Sequence, residues 1–331
     1  MPSAELQVRL IGAITLSISG CIGLVCNLLL IVVFIKNFLS LKRTAFILIT
    51  WQLILGDVIA ILGQLTVVVP MTFTGEEIFG DGLALPLLSL LDTVGFVCNM
   101  YFAFTLILNR FTIFCVPKLN EVFFGKFSIY VSIALVWLIL LSRTAYMLAA
   151  GCIKTFSLQG FFFQTKCTEA TNEFGNFLFQ STKFESYGFP AAMFVLYVAV
   201  LLRLQLGAKF KLTIPQMSER KRRIERKLLI QSIIICGALQ LETATFSLFR
   251  KLSLHGNAFL YLHIFQNFCT ILNSSVHPIV LFVFNREIRN GLRELITSKK
   301  KVSVQAFSIV PPNANLTTQS NLRRNGSNNS G

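Results

Sequence analysis

The chain has 331 residues, of which 54% are hydrophobic and only 14% charged, and its 30 Lys and Arg against 15 Asp and Glu give a net charge of +15. A mean hydropathy of +0.66 excludes a water-soluble domain. The basic excess lies in clusters beside apolar runs, with no soluble domain to hold a duplex, so no nucleic-acid partner is expected. Hydrocarbon offers no hydrogen-bond partners, so a spanning backbone must be satisfied within helices or a closed barrel. The apolar runs are far longer than the ~10 residues of a barrel strand and lack its alternation. They predict helices.

In chain order, no ionisable residue lies between Arg9 and Lys36, enough to cross a ~30 Å hydrocarbon core with some tilt. This run is longer than the ~7–15 apolar residues of a signal peptide and lacks a small-residue cleavage site, so it is expected to remain as a first helix. The second span runs from about Ala45 to Val69 and contains Asp57. The third runs from Leu85 to Ile113 with Asp92, Asn99 and Arg110. The fourth covers Ser128 to Ala150 with Arg143 toward its far end. The fifth, Tyr187 to Leu204, contains Pro190. The sixth, Lys227 to Phe249, holds Glu242, and the last, Ala258 to Phe284, holds His263 and His277.

With the N-terminus outside, 23 of the 30 basic residues fall on the inner side and 7 on the outer, the asymmetry expected of a cytoplasmic face. Four regions follow: a short extracellular segment 1–9, a seven-helix bundle 10–284, an amphipathic membrane-surface helix 285–297, and a disordered cytoplasmic tail 298–331. Asn285–Ile296 alternates basic and apolar residues at helical spacing, and the tail is polar and rich in Asn, Ser and Thr. The fold class is therefore all-α integral membrane, a seven-transmembrane bundle with a short eighth helix, placed in the plasma membrane. Of eight cysteines, six lie in or at the ends of spans and behave as small apolar residues. Cys152 and Cys167 lie in the second outer loop, an oxidising location. There they either pair, closing a loop worth ~3 kcal/mol of chain entropy, or stand as two free thiols.

Polar groups inside a membrane are expensive and face the bundle interior. Asn27, Asp57, Asn99, Asn273, Ser274 and His277 predict a shared network linking the first, second, third and seventh helices. It would either hold a sodium ion or a proton, or only set helix register. Asp92, two turns outward of Asn99, shares its interior face. It is either a counter-ion for a cationic ligand or an internal partner of Arg143 or an outer-loop lysine. Glu242, Gln240 and His263 could line the same cavity or be satisfied within the protein. Pro278 removes one backbone hydrogen bond, and nearby Ser and Asn side chains can occupy the freed carbonyl.

With these elements placed, the chain resembles the rhodopsin-like G protein-coupled receptors and, more closely, the nematode serpentine chemoreceptors of the Srx class, over about residues 20–297. Gly23-Leu24-Val25-Cys26-Asn27 looks like the first-helix asparagine motif, and Leu55-Gly56-Asp57 carries the second-helix aspartate. Asn109-Arg110-Phe111 stands in place of Asp-Arg-Tyr, Trp137 and Pro190 match the fourth- and fifth-helix markers, and His277-Pro278 stands where Asn-Pro is usual. The acidic neighbour of Arg110, the final tyrosine (Leu281 here), the sixth-helix Cys-Trp-x-Pro and the third-helix cysteine are missing. The Cys152 to Cys167 segment instead looks like the intraloop cysteine pair of nematode chemoreceptors.

The resemblance implies a chemosensory receptor that binds a small molecule in an outer cavity. Arg110, Asn109, His277 and Pro278 would then serve activation and coupling to a heterotrimeric G protein, together with the basic stretch Arg220-Lys221-Arg222-Arg223 and Arg226-Lys227. The same stretch also suits topology and anionic lipid headgroups. Asp92 falls where amine receptors carry their ammonium-binding carboxylate. The bilayer is a further partner, and the tail would be the site of any arrestin or kinase. The competing function is a ligand-gated channel or small-solute transporter, although no repeat or paired broken helices are visible. Hydrolase and metalloprotease motifs are absent, so no enzyme activity, cofactor or metal is expected.

Overall fold

Among the described residues, seven helices are long and apolar enough to cross a membrane. The structure is a computed structural model and describes residues 6–36, 44–80, 82–168, 171–209, 219–249, 252 and 256–297, with backbone alone for 183, 206–209, 219–225, 228 and 247. The tail 298–331 lies outside the described residues, as do residues 1–5 of the N-terminal segment. The spans are α1 (Leu6–Lys36), α2 (Ala45–Gly63) continued through a π segment (Gln64–Val68) into α3 (Val69–Thr74), α4 (Ala84–Cys115), α6 (Ser128–Ala149), α7 (Glu173–Lys209), α8 (Glu219–Phe249) and α9 (Asn257–Phe284). Between them lie α5 (Pro117–Phe124), the hairpin strands β1 (Cys152–Ser157) and β2 (Phe162–Cys167), and finally α10 (Arg286–Thr297).

Two spans and the loop after α6 differ from the expected layout, each for a physical cause. The second span continues to Thr74, beyond the expected end at Val69. Pro70 has no N–H for its own turn, and the helix widens before it: the Val69 N–H bonds to the Gln64 carbonyl, five residues back. Such a π turn absorbs the misfit without ending the helix. Gly75, at φ 70, closes it in the left-handed conformation, and Arg9 donates to the Thr74 carbonyl. α7 begins at Glu173, well before the expected Tyr187. Its polar first turns persist because Arg143 of α6 engages Leu178, Ser181, Thr182 and Glu185 along one face. The loop after α6 folds as an antiparallel hairpin in which Cys152 opposes Cys167, and the two are joined by a disulfide.

α4 is the central helix and packs against α2, α5, α6, α7 and α8. Its approach to α2 depends on small residues: a Cβ on Gly95 would stand 2.6 Å from the backbone nitrogen of Ala60. Close helix contact of this kind replaces the hydrophobic drive that lipid cannot supply. Trp137 of α6 donates to Gln52 of α2 at 2.8 Å, crossing behind α4. α6 is peripheral, with only Ile129 and Leu140 buried. Outward apolar residues such as Ile22, Val25, Leu138 and Ile279 are exposed, as a lipid-facing surface requires. α10 follows α9 through Asn285, whose side-chain oxygen accepts from the Glu287 and Ile288 N–H groups and so caps the new helix.

Candidate functional site

At the hairpin end of the bundle, α4, α6, α7, α8, α9 and the hairpin enclose a cavity of about 660 Å³. The hairpin forms part of its wall because its tip is anchored in the bundle. Phe161 is buried and adopts φ 55, a conformation that costs a bulky residue energy and persists only where surroundings fix it. Asn267 of α9 donates to the Phe161 carbonyl at 2.7 Å, and Phe161 belongs to the buried apolar cluster that also holds Val8, Leu16, Met71, Leu260 and Ile264. The next residue, Phe162, stacks on His263 with ring centroids 4.5 Å apart.

Asp92, Glu242 and His263 all line this cavity. Gln240 is not among its lining residues; it donates at 3.1 Å to the Pro190 carbonyl and ties α8 to α7. Of the two readings of Asp92, the internal pair is present. Lys154 of β1 reaches one carboxylate oxygen at 2.5 Å and Gln64 of the π segment donates to the other at 3.0 Å. Arg143 has a separate acceptor set, with Glu185 as its ion partner, the Tyr101 hydroxyl at 3.0 Å and Thr182 Oγ1 at 2.6 Å. His263 Nδ1 lies 2.9 Å from Gln266 Oε1.

The expected polar network is present in a different wiring. Asp57 is wholly buried; one oxygen accepts from Asn99 Nδ2 at 2.8 Å and the other meets His277 Nδ1. These contacts join α2, α4 and α9. Asn27 of α1 donates at 3.0 Å to the Ser274 carbonyl. Ser274 stands four residues before Pro278, so its carbonyl is the one that Pro278 deprives of a helical partner. The first helix thus supplies the compensation expected from Ser and Asn neighbours. Asn273 turns away from Asp57 and donates to Glu242 Oε2 at 2.7 Å, which brings α8 into the network. A small void of about 10 Å³, lined by Asn99, Asp92, Glu242, Asn273 and Ser274, separates the network from the large cavity.

At the far end, Arg110 is buried, with its guanidinium 4.8 Å from the Phe46 ring centroid. Asn109 donates to Asn120 of α5 at 3.1 Å, and Thr112 donates to the same oxygen at 3.1 Å. The pair fastens α5 to the end of α4 without an acid. Tyr197 of α7 donates to the Ser232 carbonyl of α8 at 2.5 Å and lies within electrostatic reach of Arg110. Sequence reasoning missed Gln64, Glu185, Asn120 and Tyr197. For Gln64 the available signal was an amide within a span; Glu185 and Asn120 fall outside the expected spans, and Tyr197 reads as an ordinary apolar position. Lys154 was anticipated only as an unspecified outer-loop lysine.

The profile of the family described as "Serpentine type 7TM GPCR chemoreceptor Srx" matches residues 18–285. Among solved structures, the crystal structure of squid rhodopsin superposes with a TM-score of 0.65 over 93% of this chain and 90% of that one, at 14% sequence identity. At that identity the likeness is one of fold. No curated protein matches the chain in sequence.

Proposed function

Because the chain belongs to the Srx family of serpentine seven-transmembrane chemoreceptors, a family of receptors and not of enzymes, we propose that it binds a small molecule in the hairpin-end cavity and signals through a heterotrimeric G protein at the far end. The reading rests most directly on one observation: a cavity of about 660 Å³, within the usual ~300–1,000 Å³ of small-molecule sites, connected to the bundle interior through buried polar groups. Glu242 bonds to Asn273, and the small void beneath reaches Asn99, which holds Asp57 and through it His277. A ligand that shifts α8 against α9 changes contacts at each of these positions and biases an existing equilibrium of helix arrangements.

The orientation belongs to the same proposal. The hairpin end faces outside, where its disulfide is chemically stable, and the basic loops and α10 face the cytosol, following the positive-inside rule. Arg110, buried against the Phe46 ring, would become available to an inserted G-protein segment when α7 and α8 separate at the Tyr197 to Ser232 contact. The test is a G-protein dissociation sensor in cells expressing the chain, challenged with a chemical panel. Arg110→Ala is expected to abolish the response while surface expression is retained. A compound-evoked ionic current that persists in Arg110→Ala, with no G-protein response in either protein, would replace the receptor with a channel.

A further inference from the structure

Resting on the reading of the hairpin-end cavity as the ligand site, we infer that its ligand is a compact cationic amine with an apolar body, and that the ammonium sits against Glu242 on α8 and not against Asp92 on α4. The charges around the cavity lead there. Asp92 is neutralised by Lys154 and further held by Gln64. Arg143 is neutralised by Glu185 and filled by the Tyr101, Thr182 and Ser181 oxygens. Neither pair has charge left to offer a ligand.

Glu242 differs from both. It is 2% exposed, its side-chain donors are the neutral Asn273 amide at 2.7 Å and the Thr270 hydroxyl, and the charged groups in electrostatic reach are Asp92 and Asp57, both acids. Among the described residues, no lysine or arginine forms an ion pair with it. A carboxylate taken out of water needs a cation or a proton, and a ligand ammonium supplies the cation. Anions, by contrast, would meet an acidic floor with Lys154 and Arg143 already occupied, a built-in exclusion.

The surroundings match the rest of such a molecule. Phe96, Phe162, Phe246 and Phe259 line the same space, and aromatic faces attract ammonium groups. Below Glu242 the void of about 10 Å³ holds roughly one water, so the carboxylate marks the depth at which a ligand stops. The apolar body then fills the cavity above, toward the hairpin.

The test uses the full chain purified into lipid nanodiscs. Binding is measured for one- and two-ring arylalkylamines beginning with 2-phenylethylamine, its N-trimethyl analogue, and the neutral isostere 2-phenylethanol. Saturable binding of amines is expected, with the alcohol weaker. Glu242→Gln keeps the shape and the Asn273 bond, and should weaken amine binding at least about 30-fold, the low end for truncating a buried charge pair. Asp92→Asn alone would leave Lys154 uncompensated, so the comparison is the double variant Asp92→Asn with Lys154→Met, expected to weaken amine binding less than Glu242→Gln does, because the pair it removes carries no net charge. No saturable amine binding, equal binding of the alcohol, or loss in the double variant with none in Glu242→Gln overturns the assignment. Binding is read without G protein, so a silent receptor that binds amines through Glu242 would refute the signalling proposal and leave this one standing.

Discussion

Replacing His277 by alanine removes the imidazole partner from a wholly buried carboxylate. Asp57 is 0% exposed and His277 2%, and the other side chains bonded to Asp57 are the Asn99 amide at 2.8 Å and the Ser274 hydroxyl. The imidazole of His277 is the partner of one Asp57 oxygen, so removing it leaves that buried oxygen unpaired. Breaking a buried pair on one side leaves the other group without compensation and costs about 3–5 kcal/mol. The double variant His277→Ala with Asp57→Asn removes that uncompensated charge, and about 2 kcal/mol or more of the loss should return as coupling between the two sites. Sodium offers a second reading. The space vacated beside Asp57 can take a cation, so NaCl should stabilise His277→Ala by about 1 kcal/mol at a concentration several times the dissociation constant, while the parent, whose imidazole occupies that space, does not respond. Unfolding titrations in bicelles with NaCl or choline chloride measure both effects. A loss below about 1 kcal/mol in His277→Ala, or a double variant no better than the single, would refute the claim that this pair organises the network.

Further expectations concern other parts of the site. Arg143→Met strands Glu185, which is 25% exposed, so the loss should fall near 2–3 kcal/mol, below that of a fully buried pair; Arg143→Met with Glu185→Leu should recover most of it in the same titration. Asn267→Ala frees the Phe161 carbonyl and leaves its positive-φ backbone unsupported. Hydrogen exchange across 157–163 should then rise at least about tenfold, the equivalent of one hydrogen bond worth ~1.4 kcal/mol, while the bundle core is unaffected; unchanged exchange would mean that packing alone fixes the tip.

The spans were legible in the sequence because hydrocarbon imposes one rule on every residue of a crossing segment: backbone groups must bond within the helix. The same rule made Asn27, Asp57, Asn99 and His277 recognisable as interior groups, since none could be satisfied by lipid. What the sequence left open was partner choice. Asp92 had an arginine and several lysines within plausible reach, and only the fold of the hairpin brings Lys154 to it. Asn273 was grouped with Asp57 by its position near His277, yet its amide faces α8 and Glu242. The early start of α7 escaped a hydropathy reading because Glu173, Asn176, Gln180, Lys183 and Glu185 interrupt its phenylalanines, and the satisfaction of this stretch depends on Arg143 from another helix. The π segment was hidden for a similar reason. Pro70 announces a break, and whether a membrane helix ends or widens there is decided by its neighbours. The hairpin was signalled only by its two cysteines, because a six-residue strand pair carries little pattern of its own.

Filling the cavity tests the link between its two ends. Thr270 lines it beside Glu242, and Thr270→Trp would occupy the space an agonist needs while leaving Arg110 and α5 untouched. In proteoliposomes with the hairpin end facing out and purified heterotrimeric G protein inside, agonist added outside should accelerate nucleotide exchange for the parent chain and not for Thr270→Trp. Equal agonist-driven exchange from both proteins, with the tryptophan variant folded, would contradict a ligand site in this cavity.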